Sequence, residues 1–268
     1  MVSYQSFNVN WRTLMKFHRQ TRKRYYEDDS LGQCEARVIK IEADMIELDA
    51  TVAFPEGGGQ EADHGTITLK NGRALRFIDA RKMYGHSPGI EGFPDVQVGG
   101  VIWHKVHPDD VPFLNELHVD DSVMVAIDTD RRARLTLSHT ASHILYVAVG
   151  IVRPDAVKAT LGCHIRTDGA RFDFGVNERF TPEQVSQIEA CANELVARDV
   201  AIAMSAHSQE PDLRSWHCEQ NQIACGGTHL DRTGPVGRLV VKRKSLGSGK
   251  ERLSCSFPDA VIDTVRFR

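Results

Sequence analysis

The 268-residue sequence lacks the long hydrophobic runs of membrane and secreted proteins. No apolar run approaches the roughly eighteen residues that a transmembrane helix requires. The N-terminal stretch MVSYQSFNVNWRTLMKFHRQ has no apolar signal-peptide core. Six cysteines are scattered along the chain, which argues against a secreted disulfide framework. These absences predict a cytoplasmic protein with no membrane partner.

The sequence also lacks a large excess of charge of either sign. Its formal net charge is −3, and 41% of its residues are hydrophobic and 26% charged, as in soluble globular proteins. Nothing global therefore indicates a nucleic-acid binder, and a surface of that kind would have to be local. Three basic clusters could form one, although the favoured interpretation of any single cluster is a solvated face: residues 19–24, 131–134 and 242–250.

Short strand-like segments separated by turns fill the first half of the chain. Between about residues 34 and 128, alternating or β-branched residues favour strands in CEARVIKIE, DMIELDA, TITLK, RALRFIDA, GGVIWHKV and SVMVAID. Asn71 and Gly72 separate two of these segments, and both accept the positive φ of a tight hairpin turn. The pattern predicts a small β-barrel.

From about residue 135 the hydrophobic period becomes helical. Leu135, Ile144 and Ala148 fall on one face of a predicted helix, and Gly150 and Pro154 are expected to mark its end. No linker rich in proline, glycine or serine separates this part from the barrel, so the boundary near residues 128–134 rests on the change of period alone.

A second helix is predicted from its capping sequence. Thr181, Pro182 and Gln184 match an N-cap, a first-turn proline and the capping-box position. VAIAMSA and GRLVVKRK read as strands that flank the later helices. The second half of the chain is therefore expected to be α+β.

Two histidines lie four residues apart on the first predicted helix. His139 and His143 are one turn apart, so both imidazoles can bind one metal ion. Zinc metalloproteases use this spacing with a glutamate directly after the first histidine, whereas Thr140 occupies that place here. Peptidase chemistry of that type is not expected. Taken alone, the pair could equally be a polar helix face.

A cysteine and a third histidine form a second pair about eighty residues later. In CGGTH, Cys225 and His229 flank two glycines that permit a tight turn around an ion, and cysteine with histidine suits zinc. Alone, this segment could be a buried turn with an inert thiol. Two donor pairs in one half of the chain make a joint metal site the favoured interpretation.

The motifs together resemble the editing half of alanyl-tRNA synthetase and its free-standing relatives, the alanyl-tRNA editing proteins. The segments that carry the resemblance are HTASH at 139–143, CGGTH at 225–229 with LDRTGPVG after it, AFPEGGGQ at 53–60, DGARFDF and KSLGSGKERL. They occur in the family's order over roughly residues 24–258. No aminoacylation domain is evident, which favours a stand-alone deacylase.

The resemblance implies a fold and a domain order. The expected class is α+β, with a small translation-factor-like β-barrel followed by an α+β zinc-binding editing domain whose antiparallel sheet packs on helices. The expected divisions are an N-terminal extension at 1–23, the barrel with its glycine-rich motif at 24–128, and the editing domain at 129–268.

The resemblance also implies an activity. One zinc ion per chain would be bound by His139, His143, Cys225 and His229, and the acceptor end of tRNA(Ala) would enter the same cleft. The expected enzyme is a carboxylic ester hydrolase for translation fidelity, which deacylates mischarged tRNA(Ala) without ATP. Seryl-tRNA(Ala) is expected first and glycyl-tRNA(Ala) second.

Further site residues follow from these expectations. The glycine-rich segment Gly57, Gly58, Gly59 and Gln60 is expected near the substrate, although a surface hairpin is the alternative. Thr160 and Thr167 could bind a serine hydroxyl and join His139 and His143 as predicted catalytic residues. The expected phosphate contacts are Arg131, Arg132, Arg134, Lys242, Lys244 and Lys250. Candidate general bases are a metal-bound water, Glu56, His164 and Asp173.

Two segments depart from the family's pattern and leave the substrate open. The family commonly has a glutamine-bearing stretch after LGxH, whereas this chain has LGCHIRT, and LRSWHC stands where an isoleucine-glycine strand is usual. A different acyl substrate and a non-catalytic tRNA-binding module with a structural zinc remain alternatives. Four protein ligands would also fill a tetrahedral zinc ion and leave no open position.

Overall fold

The computed structural model describes residues 19–93 and 96–268. Most of the predicted N-terminal extension lies outside these residues. The elements in chain order are β1 (Arg22–Lys23), α1 (Arg24–Glu27), β2 (Gln33–Glu42), β3 (Met45–Leu48), β4 (Ala50–Thr51), β5 (Gly65–Thr68), β6 (Ala74–Met83), β7 (Val101–Val106), a 3-10 helix (Pro108–Glu116), β8 (Ser122–Ile127), α2 (Thr129–Val152), α3 (Pro154–Lys158), β9 (Thr160–Arg166), β10 (Gly169–Gly175), α4 (Pro182–Ala197), β11 (Ile202–Ala206), β12 (Arg214–Cys218), β13 (Asn221–Ala224), a 3-10 helix (Gly234–Val236), β14 (Val240–Gly247) and β15 (Lys250–Ser256).

The first half of the chain forms a closed barrel. Its strand order is β2-β3-β7-β6-β5-β8, so each of the six predicted strands belongs to it. The barrel closes around fully buried aliphatic side chains that include Val38, Ile67 and Val125. Gly72 has φ 87° in the turn between β5 and β6, which explains the asparagine-glycine pair there.

The helix α2 is the central element of the second half. It begins at Thr129, earlier than the hydrophobic period indicates, because the Asp128 carboxylate caps the first turn by accepting the Arg131 backbone N–H at 3.0 Å. It ends at Val152, between Gly150 and Pro154, which the sequence predicts to mark its end. The helix is long and apolar enough to span a membrane, but 72% of its apolar window is buried inside the protein. Its composition is therefore that of a core helix.

An antiparallel sheet packs against α2 and α4. Its order is β14-β15-β10-β9, and Phe172, Phe174 and Leu253 of its inner face are buried against the helices. At the start of α4, the side chain of Thr181 and that of Gln184 form the predicted capping box. A separate sheet of β11, β12 and β13 completes this half, although the sequence pattern predicted the first of its strands alone. The protein is α+β, as expected.

A buried ion pair joins the barrel to α2. The Arg132 guanidinium binds both carboxylate oxygens of Asp63, with Nε–O distances of 3.1 and 3.0 Å, and donates to the Val52 carbonyl at 2.7 Å. The side chains of Arg132 and Asp63 are 1% and 0% exposed, respectively. Because each charged group has its ion-pair partner on the other side of the junction, this contact fixes α2 against the barrel.

Candidate metal centre and its cavity

Four potential metal ligands converge between α2 and the loop after β13. His139 and His143 project from α2, and Cys225 and His229 lie on the loop. One donor atom from each of the four lies within 4.8 Å of the others. The Cys225 Sγ is 3.4 Å from His139 Nε2 and 3.3 Å from His229 Nε2. The cluster can hold a metal ion, and it brings together the four residues that the sequence had singled out.

The two glycines of CGGTH allow this convergence. A Cβ atom on Gly227 would lie 2.1 Å from His139 Cε1, so the loop backbone passes directly against the imidazole. A Cβ atom on Gly226 would lie 2.5 Å from the Tyr26 hydroxyl oxygen. A larger residue at position 227 would therefore push the loop away from His139 on α2, whereas one at position 226 would displace the Tyr26 side chain.

The donor set fits a metal ion chemically. The three histidines are buried, and burial lowers the pKa of His139 to about 3 and those of His143 and His229 well below their usual value. The imidazoles are therefore neutral, as metal ligands must be. Burial also raises the pKa of the Cys225 thiol to about 12, so the thiolate needs a nearby cation to form. Nδ1 of His143 and of His229 is buried without a hydrogen-bond partner among the described residues.

The side chain of Gln60 contacts the cluster from the barrel side. Its Oε1 lies 2.6 Å from His139 Nδ1 and also accepts the Thr228 backbone N–H at 3.1 Å. The Nδ1–H of His139 therefore donates to Gln60, which leaves Nε2 for the metal. The sequence analysis predicts Gln60 near the substrate, and in the structure its side chain contacts His139, one of the four candidate metal ligands.

A cavity of about 480 Å³ opens beside the cluster, at the junction of the barrel and the second half. Its wall includes Gly57, Gly58 and Thr160 of the predicted site, together with His139, His143 and Cys225. Aromatic side chains form much of the remaining surface: Tyr25, Tyr26, Phe54, Tyr146 and Phe172. The volume lies in the range of pockets that bind small molecules.

Two of the residues predicted to contact the substrate, Gly59 and Thr167, lie outside the cavity wall. Gly59 packs on β9, where its carbonyl accepts the Ile165 backbone N–H at 2.7 Å and a Cβ would lie 2.3 Å from Cys163 Sγ. Thr167 lies in the turn between β9 and β10 and is not part of the cavity wall. Its position gives no support to a role in reading the substrate.

The predicted phosphate contacts differ in their exposure. Arg132 is buried in the ion pair described above, so its guanidinium does not reach the surface. Arg131 donates to the Ala62 carbonyl at 2.9 Å and pairs with Glu61 at 3.0 Å, while the half-buried Arg134 pairs with Asp130 at 2.7 Å. The other cluster, on β14 and β15, is exposed and consists of Lys242, Lys244 and Lys250.

Of the three side chains predicted as candidate general bases, one lies at the cavity and two lie elsewhere. Glu56 lies in the cavity wall. His164 instead pairs with Glu61 at 3.3 Å, and Asp173 binds Arg252 at 2.6 Å. Neither His164 nor Asp173 contributes to the cavity wall among the described residues.

Sequence reasoning missed three side chains next to the cluster. Trp216 packs edge-on against His143 with ring centroids 4.8 Å apart. Lys82 lines the cavity, where burial lowers its pKa to about 8, and it donates to the Gln97 carbonyl at 2.7 Å. Tyr26 approaches from α1. The tryptophan lies nine positions before Cys225 in the segment LRSWHC, where the sequence departs from the family's pattern, but nothing in the sequence marks the other two.

Comparison with known proteins finds alanine–tRNA ligases among the relatives of this chain, although no protein-family model matches it. The chain is 30% identical over 270 residues to the alanine–tRNA ligase of Methanopyrus kandleri and over 270 residues to that of Haloquadratum walsbyi. Each match covers 92% of this chain and 27% of the relative. The alanine–tRNA ligase of Thermococcus kodakarensis is 30% identical over 273 residues, covering 94% of this chain and 27% of the relative. The chain is thus homologous to a segment that makes up about a quarter of archaeal alanine–tRNA ligases.

Proposed function

We propose that this chain is a metal-dependent hydrolase that deacylates mischarged tRNA(Ala), with seryl-tRNA(Ala) as the first candidate substrate and glycyl-tRNA(Ala) as the second. The observation that carries the proposal is the four-donor cluster in the wall of a cavity of about 480 Å³. Homology to part of alanine–tRNA ligase supports the choice of tRNA(Ala). Zinc is the proposed metal because the donors combine imidazole nitrogen with thiolate sulfur.

The reaction adds water across the ester that joins the amino acid to the terminal ribose. The water oxygen bonds to the carbonyl carbon, the bond from that carbon to the ribose oxygen breaks, and the ribose oxygen takes up a proton. A bound zinc ion would supply positive charge beside the carbonyl. An ester is already activated, so positioning of water and substrate by the chain's own residues supplies much of the remaining catalysis.

We assign three side chains to that positioning. Glu56 lies in the cavity wall with 60% of its side chain exposed, where its carboxylate can accept a proton from water. The Thr160 hydroxyl, which donates to the Val157 carbonyl at 2.7 Å, can accept a hydrogen bond from a substrate hydroxyl. Gln60 keeps His139 oriented through the 2.6 Å contact.

The test is release of labelled serine from seryl-tRNA(Ala) by the purified chain, beside correctly charged alanyl-tRNA(Ala). We expect fast loss of serine alone, prevented by a chelator and by His139→Ala. Metal analysis of the same samples identifies the ion. Serine release that persists in His139→Ala would contradict the metal-centred proposal, and tRNA binding without turnover would favour a non-catalytic module.

The cavity supports one alternative substrate class. Tyr26, Tyr146 and Phe172 present more aromatic surface than a serine side chain requires. A larger, apolar acyl group is therefore the second candidate. Hydrolysis of a small aromatic aminoacyl ester in the absence of tRNA, at a rate that tRNA attachment does not increase, would favour this alternative.

A further inference from the structure

A second depression adjoins the metal cavity across strand β9. It is lined by Leu161, Gly162, Cys163, Arg171, Asp173, Leu246 and Lys250. Cys163 belongs to the walls of both depressions, so only the width of one strand separates them. A ligand whose reactive end lies at the metal cluster could therefore extend over β9 onto the outer face of the sheet.

The outer face of this sheet is rich in cations. Paired residues on antiparallel strands lie side by side on one face. In one row across the sheet, Arg252 lies between Asp173 and Lys244. At the end of the same face, Lys250 lies beside Gly175. Arg171 and Lys242 lie in the next row, one on each side of Ser254. We call this set of residues the basic sheet face.

The charge of the basic sheet face is available to a partner. Asp173 is the only carboxylate among the described residues that line the depression, and Arg171 and Arg252 both bind it, at 2.6 Å each. The ammonium groups of Lys244 and Lys250 form no ion pair with any residue that the structure describes, and both side chains are exposed. Positive charge on this face therefore exceeds the negative charge that it contains.

Apolar side chains stand next to these cations. Leu161 is 57% exposed and Leu246 is 38% exposed, and both line the depression. Grooves that bind single-stranded nucleic acid combine cations, which contact the phosphates, with exposed side chains that contact the bases. Leu161 and Leu246 offer aliphatic surface for the bases beside the lysines. The basic cluster in the first turns of α2 offers less, because Arg131 and Arg134 pair with carboxylates and Arg132 is buried.

We propose that the basic sheet face carries the single-stranded 3′ end of an RNA, which crosses β9 at Cys163 and delivers its esterified terminus to the metal cavity. The inference rests on the proposed function for the identity of the ester. In this arrangement Lys244 and Lys250 neutralise phosphates, and Leu161 and Leu246 contact the bases. The RNA approaches from the sheet and not from the N-terminal end of α2.

The experiment compares two double variants with equal changes of charge. Lys244→Glu with Lys250→Glu alters the basic sheet face, and Lys70→Glu with Lys105→Glu is the matched control on the barrel. Binding of uncharged tRNA(Ala) is measured over a range of salt concentrations, so the readout does not depend on deacylation. Metal content of each variant shows whether the cluster is intact.

We expect the sheet variant to bind tRNA about tenfold more weakly, with a salt slope lower by about 1.4 for two lost single-strand phosphate contacts. The barrel variant should bind within about threefold of the wild type. Equal weakening in both variants, or unchanged binding in the sheet variant, would overturn the proposed path alone. Failure of the wild type to bind tRNA would overturn the proposed function and the path together.

Discussion

Replacing Gln60 by leucine tests whether the barrel controls the metal site. The substitution removes the acceptor that lies 2.6 Å from His139 Nδ1 and leaves a buried N–H without a partner. Loss of such a contact to a metal-bound histidine typically lowers metal affinity by about 10–100-fold, or about 1.4–2.8 kcal/mol. We expect Gln60→Leu to bind zinc weaker by that factor.

The assay is competition for zinc against a chelator of known affinity, with thermal unfolding of the metal-free protein measured alongside. Gln60→Glu is the first control, since a carboxylate still accepts the His139 N–H. Thr228→Val is the second, because it removes the hydroxyl that Gln60 Nε2 contacts at 3.1 Å but keeps the acceptor. Both controls should bind zinc within a few fold of the wild type. Wild-type affinity in a folded Gln60→Leu protein would refute the assignment.

Three other predictions concern stability and the loop. The pKa of buried His104 is lowered to about 4, so this group binds more protons in the unfolded chain below pH 6.5. Its contribution to the free energy of unfolding should therefore fall by about 2 kcal/mol between pH 7.5 and 5, and in urea unfolding His104→Gln should lose that much less stability than the wild type over the same range. Arg132→Met leaves the Asp63 carboxylate buried and without its counter-ion, so the free energy of unfolding in urea should fall by about 3–5 kcal/mol. Adding Asp63→Leu should restore part of that free energy. Gly227→Ala should lose bound metal while its circular dichroism stays that of the wild type, whereas Gly57→Ala, where a Cβ has 3.9 Å of room, should keep the metal.

Features set by local chemistry could be predicted from the sequence. The six barrel strands follow from alternation, the β5–β6 turn from asparagine followed by glycine, and the start of α4 from its capping box. The donor cluster was also predictable, because His139 and His143 share a helix face and a glycine pair lets Cys225 and His229 approach them. Each of these depends on residues close together in the chain or on a few residue types with narrow uses.

Features set by long-range packing could not be predicted in the same way. Arg132 lies in a run of arginines that resembles a solvated cluster, yet its partner Asp63 is 69 positions away and both side chains are buried. Gln60 follows three glycines that suggested a ligand contact, and its histidine partner is 79 positions away. Thr167 and Thr160 are similar in sequence context, but the β9–β10 turn takes only Thr167 away from the cavity.

The glycine-rich turn contacts two parts of the site at once. Gly57 and Gly58 form part of the cavity wall, while Gln60, at the end of the same turn, binds His139. A molecule that shifts this turn when it enters the cavity therefore also changes the hydrogen bond between Gln60 and His139. Binding of the two is thermodynamically linked. If the occupant changes the affinity for the metal by some factor, the metal changes the affinity for the occupant by the same factor. Metal loading of this protein would then report on cavity occupancy. The barrel would couple the two, although none of its described residues belongs to the donor cluster.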